Sequence, residues 1–361
     1  MGKPHGVGVV GLGVISARYL ATLVGHPDVA ITAVASLDRA RSADAASGIP
    51  GCRALSVAEL VADDAVDTVL NLTTPEAHAE IALAGLAHGK NVYGEKPLAA
   101  TFVEAESVLR ARGDLWVGCA PDTVLGTGIQ TARSAVDSGR IGRPVAAFAT
   151  WVAPGHERWH PNPDFYYRPG GGPLLDMGPY YLTSLVQLLG PVVRVTGASS
   201  RGRDTRTIGS GPRAGEQIPV TVDTHVTGIL KHVGGALSTV VVSFDAVATG
   251  AAPIEVHGEQ GSLSVPDPNT FEGTVRLRLL GDDAWTALPA SAGYAGAERG
   301  IGLLDFVRGG RRAGGDLALH VLEIMTALLT SARDGVRVPL TTTVERPSLV
   351  PLTTAEQWRA P

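Results

Sequence analysis

Lysine is scarce in this chain. Lys3, Lys90, Lys96 and Lys231 stand against twenty-six arginines, so each asks what an ammonium does there that a guanidinium would not. Cysteine is scarcer still: Cys52 and Cys119 form no CxxC pair and no framework spacing. That excludes a disulfide scaffold and suits a reducing cytoplasm, the expected location. Excess positive charge is missing too. A net charge of −5 excludes the broad basic face that nucleic acid or an anionic membrane requires, and Arg308-Gly309-Gly310-Arg311-Arg312 reads as a solvated turn or helix end. No apolar run of about 18 residues lacks charges or polar and glycine breaks, so no transmembrane helix is expected. Met1-Gly2-Lys3-Pro4 leads into a strand pattern without the features of a signal peptide, and Gly6 stands where a myristoylation signal needs Ser or Thr.

What is present is ample apolar material, 44% of 361 residues, enough for two domains. The first opens with the apolar run His5–Val10, then Gly11-Leu12-Gly13-Val14-Ile15-Ser16, then Ile15, Tyr19, Leu20 and Leu23 at helical spacing. Strand, glycine turn and helix in that order fit a dinucleotide site. Gly11 permits the tight turn, and Gly13 admits a pyrophosphate to the helix amino terminus beside Val14 and Ile15. Ser16 takes the third position, where Gly or Ala is usual. Strands at 30–35, 66–72, 91–93 and 115–118 alternate with helices at 39–46, 57–62, 76–88 and 102–112, which implies a doubly wound parallel sheet. The second strand ends in Ser36-Leu37-Asp38 rather than an acid at position 36, with Arg39 and Arg41 close enough to hold a 2′-phosphate. The cofactor is therefore NAD or NADP. Asn71, Thr73, Thr74, Pro75 and His78 follow the fourth strand and are expected to line it.

The stretch Gly94-Glu95-Lys96-Pro97 lies at the carboxyl end of the strand Lys90–Tyr93, facing the ligand crevice of such a sheet. The residue before a proline is kept out of the α region, so Lys96 is held extended or in a turn.

Beyond residue 120 the period changes. A helix at 128–138 is followed by alternating runs at 145–152, 192–198, 225–230, 236–244, 254–257 and 275–280. They predict an α+β domain over 121–361 with an open, mostly antiparallel sheet, one face solvated or paired with another subunit. Helices at 301–307 and 317–332 should cover part of it, and 201–219 reads as an exposed excursion. His156-Glu157-Arg158-Trp159-His160 satisfies HExxH, but Pro154-Gly155 before it and Pro161-Asn162-Pro163 after it oppose a sustained helix. No metal is expected; His156, Trp159 and His160 suit a polyhydroxylated ligand. In Gly170-Gly171-Gly172-Pro173-Leu174-Leu175-Asp176-Met177-Gly178-Pro179-Tyr180, Asp176 and Tyr180 share one helix face.

Together these motifs resemble the glucose–fructose oxidoreductase, inositol dehydrogenase and rhizopine-catabolism (Gfo/Idh/MocA) family, over nearly the whole chain. The resemblance implies a Rossmann domain at 1–120, an α+β domain at 121–361, and a homodimer or homotetramer through the C-terminal sheet. It also implies NAD(P)-dependent oxidation or reduction of a sugar, cyclitol or related polyol. Members commonly carry a histidine four residues after the aspartate and an acid three further on, where this chain has Tyr180 and Thr183; Asp122 falls where Asn-x-Arg is usual. Lys96, Asp176 and Tyr180 are the expected catalytic residues, with Lys96 and Tyr180 a coupled pair, because lysine needs desolvation or a neighbouring cation to act as a base at pH 7. Asp122, His156, Trp159, His160 and Tyr180 are the expected substrate contacts, and Glu95 and Lys96 also border the cofactor. Two alternatives stand beside this: a hydrolase that retains NAD for transient oxidation, and a cofactor-sensing regulatory protein.

Overall fold

The computed structural model describes residues 3–360 and divides into two units. The first holds the chain through Thr127, together with Ala292–Leu319 and the stretch from Pro347 onward. The second holds Gly128–Ser291 and His320–Arg346. A single boundary at 120/121 is thus corrected, because two C-terminal segments return to the first unit. Their physical role there is plain. The Cys119 N–H donates to Ala313 O at 2.9 Å, and Trp358 is buried with its indole N–H on Ala295 O at 2.9 Å.

In the first unit, six parallel strands are β1 (His5–Val10), β2 (Val29–Ala35), β3 (Arg53–Ala54), β4 (Thr68–Asn71), β5 (Asn91–Gly94) and β6 (Val117–Cys119). They lie in the order β3-β2-β1-β4-β5-β6. Helices α1 (Ser16–Leu23), α2 (Arg39–Ser47), α3 (Val57–Ala62), α4 (Pro75–Ala87) and α5 (Phe102–Ala111) connect them. Every residue of β4 is buried, as expected of a strand covered on both faces. Capping boxes at Ser56/Glu59 and Thr101/Glu104 start α3 and α5 by satisfying backbone N–H groups that the helix cannot. Val10, Ala33, Ala35, Leu60, Val61, Val66, Val69 and Ile81 form one core cluster. The order reverses between β1 and β4, which places their carboxyl ends at the topological switch point.

The second unit begins with α6 (Thr127–Asp137), most of which belongs to it, and contains α7 (Pro173–Leu189). Its nine-stranded sheet contains β7 (Pro144–Val152) and β8 (Val192–Ser200). After a separate hairpin of β9 (Thr205–Thr207) and β10 (Gln217–Pro219), the sheet continues with β11 (His225–His232), β12 (Leu237–Ser243), β13 (Ile254–Gly258), β14 (Gly261–Val265), β15 (Arg276–Leu279), β16 (Thr286–Ala287) and β17 (Val338–Pro339). The order is β16-β15-β14-β13-β7-β12-β11-β8-β17, antiparallel except for the β7–β12 pair. Helix α7 packs on β7, β11 and β12. The other face stays open. Ile229, Thr239, Phe148 and Glu255 form one register row across it, with Phe148 48% and Ile229 50% exposed.

Three helices follow: α8 (Ile301–Val307), α9 (Gly315–Asp334) and α10 (Ala355–Arg359). Helix α9 has the length and apolarity of a membrane span, yet Val321, Leu322, Ile324, Met325 and Leu328 are buried in the protein. The stretch 201–219 is not simply an exposed excursion. Ile208 and Ile218 of the β9–β10 arm pack with Tyr167, Val220 and Phe244, apolar contacts that its glycine- and arginine-rich composition conceals.

Candidate active site

In the first unit the β1–α1 loop forms a cradle. Gly11 has φ of +96°, and a Cβ there would come within 2.7 Å of the Leu72 backbone. Only glycine lets this loop lie so close to the end of β4. A Cβ on Gly13 would meet nothing within 4 Å, and the first turn of α1 carries no acid. Open space, an uncompensated helix amino terminus and no opposing charge fit a pyrophosphate. Ser16 is accommodated because its hydroxyl donates to Gly13 O at 2.7 Å. Ile15 is the N-cap of α1. Val14 is 96% exposed and Leu37 107%, bare apolar side chains on two neighbouring loops. Leu37 drew no attention in the sequence; an apolar residue just past the second strand is its only signal.

Ser36 donates to Asp38 O at 2.7 Å and its hydroxyl lies 2.9 Å from that of Ser42. Asp38 caps α2 by accepting from the Arg41 N–H at 3.1 Å. The Arg41 guanidinium reaches back to Leu12 O at 3.4 Å, beside the glycine turn.

A polar scaffold stands behind the loop after β4. Asn71 Oδ1 accepts from the Thr73 hydroxyl at 2.6 Å, and its Nδ2 donates to His78 O at 3.1 Å. Thr74 is the N-cap of α4 and Pro75 its first residue, the Thr74 hydroxyl making no capping bond. His78 is buried, its Nδ1 2.6 Å from Pro97 O and its Nε2 3.1 Å from Thr73 O. Its ring therefore ties the Thr73 loop to the Glu95-Lys96-Pro97 loop and fixes both from within.

Glu95 is buried. Its Oε1 accepts from the Tyr19 hydroxyl at 2.8 Å and its Oε2 from the Lys96 backbone N–H at 3.1 Å. Burial, then Glu95, pushes the Cys119 thiol far up, while the Lys96 charge opposes them, so the ammonium lies within electrostatic reach of that sulfur. Lys96 itself is partly buried.

Asp122 differs from the expected substrate contact. It is 0% exposed, and its Oδ2 accepts from the N–H groups of Gly300 at 2.8 Å and Gly302 at 3.2 Å at the start of α8. Burial pushes its carboxyl up, and Arg299 and those two donors pull it down. Fully enclosed, with Oδ2 bound to two backbone donors and Oδ1 buried without a hydrogen-bond partner, Asp122 acts as a structural cap.

In the second unit, Asp176 lies in the first turn of α7, behind Gly172 at φ +92° and Pro173. One turn further along, Tyr180 is buried. His156 sits in a 3-10 turn, His156–Arg158, and its Nε2 lies 3.0 Å from Asp176 Oδ2. The Trp159 indole N–H donates to His156 Nδ1 at 3.2 Å. His160 is half-buried, accepts at Nδ1 from the Asn162 N–H at 3.1 Å, and is pushed down mainly by burial. Glu157 turns elsewhere: its carboxylate binds the Tyr167 hydroxyl and the buried Arg206, which also pairs with Asp245. The Tyr167 oxygen also accepts the His156 backbone N–H at 3.1 Å. The HExxH residues thus share no α-helical face, and among the described residues no group of three His, Cys, Asp or Glu is arranged to hold a metal ion. Tyr167 and Arg206 escaped the sequence reading, since Arg206 lies 49 residues from Glu157 with no local pattern joining them.

Known proteins match this arrangement at both ends. Residues 5–114 match the sequence model described as oxidoreductase family, NAD-binding Rossmann fold, and residues 129–264 match the GFO/IDH/MocA C-terminal domain. A 1,5-anhydro-D-fructose reductase of Ensifer adhaerens is 30% identical over 75% of this chain and 79% of its own. A myo-inositol 2-dehydrogenase of Thermotoga maritima is 28% identical over 75% and 77%. Among solved structures, an NAD-binding oxidoreductase of Klebsiella pneumoniae has a TM-score of 0.80 at 23% identity, covering 95% of this chain and 99% of that one. With both halves matched in order and three quarters of the chain aligned to a relative at 30% identity, the chain belongs to the Gfo/Idh/MocA family of NAD(P)-dependent oxidoreductases.

Proposed function

We propose that the protein oxidises a secondary hydroxyl of a sugar or cyclitol, or reduces the matching ketone, with Lys96 handling the proton. The observation that carries this is the locked loop after β5. Glu95 is held by Tyr19 and by the Lys96 N–H, and Pro97 by His78, so the lysine stands on a fixed backbone at the carboxyl edge of the sheet. When bound, the nicotinamide supplies the hydride acceptor or donor. Lys96 Nζ takes the proton from the substrate oxygen in oxidation and returns it in reduction. Asp176 accepts a hydrogen bond from a substrate hydroxyl, and the Tyr180 phenol serves the same oxygens. Trp159, together with Phe165 at 52% exposure, offers the bare aromatic surface against which the C–H face of a sugar packs.

Ser36 in place of an acid and Arg41 beside the glycine turn favour NADP binding at least comparable to NAD. The open sheet face, with its Phe148–Ile229 row, pairs with a second copy; a monomer by analytical ultracentrifugation would remove that pairing. Two free thiols suit a reducing cytoplasm, and a reporter fusion found outside it would contradict this.

The functional test is a panel of cyclic polyols and their ketones with NAD and NADP, followed at the nicotinamide absorbance. It starts from the compounds in the relatives' names: 1,5-anhydro-D-fructose, myo-inositol, levoglucosan and D-xylose. Stoichiometric cofactor turnover with one of this class is expected. Cofactor retained through catalysis without net change would instead favour transient oxidation, and binding without any catalysis a sensor.

A further inference from the structure

Trp159 stands out because an exposed tryptophan, at 59%, spends its indole N–H on a histidine that is itself buried. An indole nitrogen only donates, so His156 Nδ1 must hold a lone pair. The remaining ring proton then lies on Nε2, which is 3.0 Å from Asp176 Oδ2 and donates to it. The opposite arrangement, a protonated Asp176 donating to Nε2, would put the ring proton on Nδ1 against the indole N–H. It is excluded by donor count alone.

We propose that Trp159 is a positioning residue of the reaction: its indole N–H holds His156 as the Nε2–H tautomer, and that ring, donating from Nε2, orients Asp176. The inference rests on the role of Asp176 proposed above. His156 is then no proton carrier, since protonating Nδ1 breaks the Trp159 bond.

The surroundings are built for this one arrangement. Trp159 and Tyr166 rings lie 5.1 and 4.6 Å from the imidazole, and Phe244 4.7 Å. The Tyr167 hydroxyl holds the His156 backbone, and Ser210 of the β9–β10 arm donates to Trp159 O at 2.7 Å. The titratable and charged groups around the ring are Asp176 on α7, His160 and Glu157 in the same loop, Tyr166 and Tyr167 beyond it, and Arg206 and Asp245 behind Glu157. Because the indole is half in solvent, a ligand touching its face is sensed at the carboxylate through two hydrogen bonds.

The test is long-range ¹H–¹⁵N NMR of protein labelled at histidine, with His156 assigned by its loss in His156→Gln. At neutral pH the wild type should show a protonated Nε2 and a lone pair at Nδ1. Trp159→Phe, at an exposed position that tolerates the change, removes the donor that holds the Nδ1 lone pair. Its His156 signals should lose the single-tautomer pattern, the ring proton being shared between Nδ1 and Nε2 once the indole donor is gone. Its kcat should fall about tenfold, the effect of one lost hydrogen bond beside a charged group, with cofactor KM unchanged. A protonated Nδ1 in the wild type, or an unchanged spectrum in Trp159→Phe, overturns the inference. Normal turnover in Asp176→Asn with the expected spectra rejects instead the role of Asp176 in the reaction, leaving the tautomer in place.

Discussion

Replacing Asp122 with alanine is expected to destabilise the first unit by about 3 kcal/mol, through two backbone groups rather than through any ligand. The carboxylate accepts from Gly300 N–H at 2.8 Å and Gly302 N–H at 3.2 Å, where α8 begins. Each donor left buried without an acceptor costs about 1–3 kcal/mol. Removing a carboxylate whose ionised form is disfavoured by burial offsets part of that sum. At ~2–4 °C per kcal/mol for a unit of this size, the melting midpoint should drop by about 6–12 °C. Asp122→Asn retains an acceptor oxygen and should lose about 1 kcal/mol, roughly one neutral hydrogen bond's difference. Thermal and urea unfolding measure both variants, and substrate KM of the asparagine variant measures the alternative. The reasoning fails if the alanine variant melts with the wild type. It also fails if the asparagine variant raises substrate KM steeply at full stability, as a substrate contact would.

Two further outcomes concern pH and cofactor choice. Burial holds His232 down at about 4 from an ordinary 6.5, with Nδ1 2.7 Å from Gly190 O and Nε2 2.7 Å from the Ser238 hydroxyl. The unfolded chain therefore binds the proton first, so its stabilisation is complete above pH 6.5 and declines by up to about 3 kcal/mol as pH falls toward 4. Urea midpoints across that window should fall in the wild type and flatten in His232→Gln. Ser36→Asp should turn preference from NADP toward NAD by repelling a 2′-phosphate, and an unchanged ratio of the two kcat/KM values would remove Ser36 from the ribose site.

The Rossmann sheet was legible because its strands are continuous apolar runs and its turn chemistry is local. Gly11, Gly13 and the helix after them lie within one short stretch, and β5 leads directly into Lys96. The parts that were not legible depend on partners distant in sequence. Asp122 is polar, follows a strand and precedes a helix, which also describes a ligand contact; only α8, returning some 180 residues later, shows it to be a cap. His156 and His160 carry a metal motif, yet the imidazole partner of Asp176 comes from 20 residues away, in a 3-10 turn. The β9–β10 arm hides Ile208, Ile218 and the buried Arg206 inside a glycine- and arginine-rich composition, where alternation lasts three residues per strand. Strands β3 and β16, of two residues each, are too short for any periodicity to register.

Lys96→Met tests the central claim most directly, with turnover of a verified substrate and cofactor affinity measured on the same preparation. Cofactor binding should stay near normal, since the cradle of Gly11, Gly13 and the α1 terminus is untouched. Turnover should fall by ~10²–10⁴-fold, the range that general acid–base catalysis supplies, and Lys96→Arg should be nearly as poor because a guanidinium does not give up its proton. Near-normal turnover in Lys96→Met would place the proton chemistry on another residue and contradict the account.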